Sequence, residues 1–219
     1  MFDEEAHIAA HRIEKGSART VQDVMARFEG FMNASYGPEF IEDELGLPIV
    51  EWVDPISVEA YSAALSLHPD VTVPGELRAL YTVHGTPNID DELVIYPAEQ
   101  VLVSRGSARS PRWEEAFSEA PIPFNHAKTI DETYVLAGLL DLGEWCMFLL
   151  FDRAGGGFAT MLLAEDEIFL EEKETLATLE KPRTSLSLLD ALAKMVNELI
   201  EYRTSMFSDE FHAANPDAG

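Results

Sequence analysis

Two apolar runs, "EWCMFLLFD" and "GFATMLLA", are separated by "RAGGG". Each run has strand length, and three glycines between them mark a tight reversal. The spacing predicts antiparallel strands near 145–152 and 157–163. The near-continuous apolar character leaves no face for water, so helices must pack on this sheet. Any fold for the chain has to accommodate that covered hairpin.

Helical periodicity supplies the cover. Leu188, Leu189, Leu192, Met195, Val196, Leu199 and Ile200 recur at helical spacing. They predict a closing helix over about 186–203, capped by Thr184, Ser185 or Ser187. "DPISVEAYSAALSLHP" predicts a helix near 57–67 with Ser57 as N-cap. "VPGELRALYTVHG" predicts another near 74–84, opened by Pro74 and stopped by Gly85 in a left-handed conformation. The polar "TPNIDDE" reads as a turn. "ELVIYPAEQVLV" reads as a strand, a break at Pro97 and a short second element.

The first 50 residues read as helical. Val21, Val24, Met25, Phe28, Phe31 and Met32 lie on one face. Tyr36-Gly37-Pro38 should end that helix. Arg105, Arg109 and Arg112 form the basic island of the chain, in a loop followed by a helical turn from Trp113 to Phe117. "EIFLEE" is a further strand or an edge.

The charge is −25, from 15 Lys and Arg against 40 Asp and Glu. Nucleic acid and anionic membrane are poor partners for such a surface, whereas basic proteins or cations are drawn to it. Ten acids and no Lys or Arg lie between Arg27 and Arg78, so the charge is lopsided. Two plainer readings stay open. Acidity keeps a protein dissolved, and a halophilic source, with only five Lys among the bases, would show it too. No secretory leader or membrane-length apolar run is seen, and Cys146 is the single cysteine. The expectation is a cytoplasmic protein with a buried thiol and no disulfide.

Catalytic signatures fail one by one. "RAGGGF" lacks the Lys-Ser/Thr of a phosphate loop and leads into a strand. Glu4, His7, His11 and Glu14 have the spacing of one helix face, a set that could ligate zinc. Ile8 stands where a metalloprotease needs Glu, so no metal site is expected. No G-x-S-x-G elbow is present. Carboxylate pairs are too common among 40 acids to single one out. His84 and His126 read as helix-end and loop residues. Trp52, Trp113 and Trp145 read as core or rim. No enzyme activity and no cofactor are expected.

The helix at Val73–Gly85 resembles the hallmark of the SUKH superfamily, the SMI1/KNR4-like domains. Pro74, Leu77, Leu80, Tyr81 and Gly85 match its proline-led helix, and Pro97, Glu99 and Val101 its following "P-x-E-x-V" element. "PIPF" at Pro121–Phe124 is similar to its mid-chain "W-x-P-F", without the tryptophan. "MFLLFDRAGGGFATM" is similar to its central hairpin, and the helix from Ser185 to its closing helix. The likeness spans roughly residues 56–203. His84-Gly85 replaces the usual Asn-Gly, and the first 50 residues have no counterpart in a minimal domain.

The resemblance implies an α+β domain with a mixed or largely antiparallel sheet flanked by helices. It divides the chain into a helical extension (1–55), a SUKH-like domain (56–205) and a flexible tail (206–219). Bacterial members commonly act as immunity proteins that neutralise a toxin by binding it, and others are regulatory scaffolds. The acidity fits a basic toxin, a nuclease for example, because opposite fields speed association. The residues expected to meet it are Asp90, Asp91 and Glu92 after the signature helix, Glu165, Asp166 and Glu167 after the hairpin, and Trp113 as an aromatic anchor.

Overall fold

The computed structural model describes residues 4–40, 48–90, 92–103, 134–143, 145–164 and 186–214. Its centre is a six-stranded sheet in which every strand pairs with its sequence neighbours, all antiparallel. In chain order these are β1 (Glu51–Val53), β2 (Thr86–Ile89), β3 (Leu93–Ile95), β4 (Tyr134–Asp141), β5 (Trp145–Asp152) and β6 (Phe158–Ala164). The expected α+β class is therefore present, with an antiparallel sheet.

The hairpin of β5 and β6 forms where the two apolar runs place it. Cys146 through Phe151 are all buried, so both faces of β5 are covered. Asp152 organises the reversal. Its Oδ1 accepts from the Ala154 amide at 2.7 Å and its carbonyl from Gly155 at 2.9 Å. The turn is also tied down from outside. Thr72 donates its amide to the Arg153 carbonyl at 2.7 Å, and Arg153 Nη1 donates to Asp70 at 2.6 Å.

β4 does not register in the sequence as a strand, and it proves to be the partner of β5 over seven residue pairs. A bulge at Leu136–Gly138 interrupts the ladder. Gly138 belongs there because a Cβ would stand 2.7 Å from the Val94 carbonyl of β3. Ala137, the extra residue, gives its carbonyl to the Tyr96 amide at 2.9 Å.

Helices α1 (Glu4–His11), α2 (Val21–Phe40) and the closing helix, here α5 (Leu188–Ala214), pack together. The apolar stripe of α5 is sealed from Leu188 to Ile200, and Ser187 Oγ caps it by accepting from the Asp190 amide. α5 continues to Ala214, through residues expected to begin the tail at 206. α2 likewise runs through Gly37-Pro38 to Phe40, which corrects the expected stop. Pro38 removes only one late hydrogen bond, and buried Val24, Phe28 and Phe31 fix the helix by packing. Tyr36, just before the glycine, donates its hydroxyl to the Arg203 carbonyl on α5. Asn197 of α5 holds the chain after α1 with two bonds to the Ile13 backbone, at 2.8 and 3.0 Å.

Helix α3 (Val58–Ser66) starts at Ser57, whose Oγ accepts from the Ala60 amide at 3.1 Å, as expected. Helix α4 (Gly75–Ala79) widens into a π-turn at Leu80–His84, closed by the Gly85 amide on the Leu80 carbonyl. Gly85 has φ +83° and ψ 170°, so its φ is positive as expected but its ψ is extended. That extension launches β2, so the supposed turn "TPNIDDE" is half strand. Val50, Thr86 and Pro87 at this end are buried.

Candidate functional site

The hairpin between β2 and β3 is short, with Ile89 paired to Leu93. Asp90 turns the corner at φ 45°, a left-handed conformation that Asp and Asn tolerate better than most residues. Its side chain is exposed. Glu92, two residues on, points differently. Arg203 of α5 donates to its Oε2 from Nε at 3.1 Å and from Nη2 at 2.7 Å. Only 22% of the Glu92 side chain and 14% of the Arg203 side chain meet solvent. Glu92 is expected among the toxin-facing carboxylates of an exposed turn; in the structure it is partly buried and clamps hairpin to helix. Asp91, Trp113, Glu165, Asp166 and Glu167 lie outside the described residues, as does His126.

A hollow of about 170 Å³ opens beside this clamp. Phe28 and Met32 of α2 and Ile89 of β2, all buried, form an apolar lining with Pro48 and Ile49. Glu51, Asn88, Asp90 and Arg203 supply its polar groups. Glu51 and Asn88 face one another across the β1–β2 ladder, so one sheet end presents both. Trp52 and Val53 follow Glu51 on the same strand and are 36% and 43% exposed.

The local field is negative. Burial is the foremost reason that Glu92 holds its proton to higher pH than usual. Arg203 opposes that shift, while Asp90 and Asp141 add to it. The folded chain thus binds more protons than the unfolded chain in the interval just above the ordinary glutamate range. Stability from this group is complete below the unfolded pKa and is lost as pH rises through the folded one. Glu198 moves the same way, through burial first and Glu201 second. Self-repulsion of the −25 charge acts in the same direction. Asp23 is shifted oppositely, held low first by the Arg19 amide, and its contribution fades only at more acid pH. The urea midpoint should therefore rise on going from about pH 7 to about pH 5, with a shallower slope in Glu92→Gln. A flat profile in the wild type would refute the assignment.

Other sequence candidates resolve into structural roles. His7 and His11 sit with ring centroids 5.0 Å apart against Phe31, and His7 Nε2 pairs with Ser35 Oγ at 2.8 Å. α1 ends at His11, so exposed Glu14 does not continue their face. Among the described residues, no group of three or more His, Cys, Asp or Glu is gathered to hold a metal ion. His68, unremarked in the sequence, is buried and donates from Nε2 to the Leu102 carbonyl. Cys146 is buried.

Sequence reasoning missed Glu51 and Arg203. The signal for Arg203 was present: it follows Leu199 and Ile200 at helical spacing, so it prolongs the apolar stripe with a charge. A charge on that face needs a buried counter-ion.

The fold and this surface define an α+β protein whose sheet end carries carboxylates around a hollow of mixed polar and apolar lining. Comparisons with protein-family models, with curated proteins and with solved structures return no match to the chain. Among the described residues, no helix is long and apolar enough to cross a membrane.

Proposed function

We propose that the chain is a non-catalytic binding protein of the SUKH type. It acts in the cytoplasm as an immunity protein that neutralises a basic toxin by direct contact. The observation that carries this reading is the lopsided acidity, −25 overall, with exposed Glu51 and Asp90 at the same end of the sheet. The field of these exposed carboxylates steers a basic protein toward them. The helix-and-hairpin order that resembles SUKH domains supports the same reading.

The test is co-expression with the product of the neighbouring gene, followed by stopped-flow association at increasing salt. A stable complex, rescue of growth and a rate that falls with salt are expected. Asp90→Asn, which keeps a residue suited to the positive φ, should slow association and make its fall with salt less steep than in the wild type. A complex that neither forms nor protects would remove the reading in favour of a regulatory scaffold without a toxin partner.

A further inference from the structure

We propose that the hollow between α2, α5 and the β1–β2 end is a socket for a lysine side chain of the protein partner, an inference that rests on the binding-protein reading above. Lysine is a four-carbon apolar stem with a compact charge at its tip. The hollow has the complementary arrangement. Phe28, Met32, Pro48, Ile49 and Ile89 line it with apolar groups suited to a stem, and the acidic Glu51 and Asp90 line it as well, suited to an ammonium. These two carboxylates come from two different strand ends, not from one side chain. Divergent acceptors suit the three rotatable donors of an ammonium better than the planar fork of a guanidinium.

Arg203 lines the hollow, but its Nε and Nη2 are both committed to Glu92. Among the described residues, neither Glu51 nor Asp90 is in an ion pair. The total charge of −25 draws a cation in and disfavours an anionic occupant. Glu51 is in register with Asn88, Ile89 with Leu93, and the hairpin is clamped to α5.

The experiment titrates the isotope-labelled full chain with three blocked pentapeptides, Gly-Gly-X-Gly-Gly, in which X is lysine, acetyl-lysine or norleucine. Backbone amide shifts of Met32, Glu51, Asn88, Ile89 and Asp90 are followed. The lysine peptide should give saturable shifts confined to this set, with an affinity about tenfold above both neutral peptides. Glu51→Gln/Asp90→Asn should abolish the preference. Glu59→Gln/Glu99→Gln removes the same total charge from exposed positions that do not line the hollow, and should leave the preference intact. Equal binding of the norleucine peptide would overturn the proposal. So would unsaturable shifts spread over the surface, or an equal loss in the control variant.

The two readings separate cleanly. If the double variant still neutralises the toxin at wild-type affinity and the lysine peptide shows no preference, the socket falls and the binding function stands. If no toxin complex forms, the function falls, and the peptide titration decides the socket alone.

Discussion

Phe148→Ala will lower the unfolding free energy by roughly 3–5 kcal/mol, the range for truncating a fully enclosed phenylalanine. Phe148 is 0% exposed in the middle of β5. It stands opposite Leu139 of β4 and Met161 of β6, so both ladders press on it. β5 is paired on both edges and covered on both faces, which leaves little freedom for neighbours to collapse into the space. Urea denaturation measures the loss as a lower midpoint at an unchanged slope. A loss below about 1.5 kcal/mol would mean that β5 is not the centre of the core.

Gly85→Ala should remove roughly 2–4 kcal/mol and act on one place. The residue combines φ +83° with ψ 170°, a region almost reserved for glycine. A Cβ there would sit 2.4 Å from the Val53 carbonyl oxygen, so either β1 or the π-turn must move. β1 has only three residues and pairs with β2 through Glu51, Trp52 and Val53, so it is the element that yields. Amide hydrogen exchange of β1 should quicken far more than that of β5. The lysine-peptide preference should weaken in parallel, because Glu51 loses its register with Asn88. Uniform acceleration over β4, β5 and β6 would show that the strain is spread rather than local.

These two sites divide what could be read in advance from what could not. Phe148 lies in an apolar run whose length and glycine boundary allowed only a covered hairpin. The closing helix was equally legible, because its stripe repeats over many residues. Short strands carry no such repetition. β1 is an exposed "EWV", and β2 is "TPNI" inside a polar stretch that resembles a loop. Their pairing follows from the exit direction set at Gly85 and from neighbours supplied by β3, not from their own periodicity. β4 was missed for a related reason, since a bulge and Gly138 break its alternation.

The candidate site shows the same division. That Asp90 occupies an exposed turn was readable from "IDDE". That Glu92, in the same turn, is clamped was not, because Arg203 is 111 residues away. Two carboxylates two positions apart therefore acquire different roles. Asp90 stays in water, while Glu92 is desolvated and balanced by a guanidinium. By itself the sequence determined the covered hairpin, the helical stripes, the Ser57 cap and the sign of the field, all of which depend on local spacing and composition. Only the tertiary structure decided which carboxylates are free, because burial and ion pairing depend on chain segments that meet solely after folding.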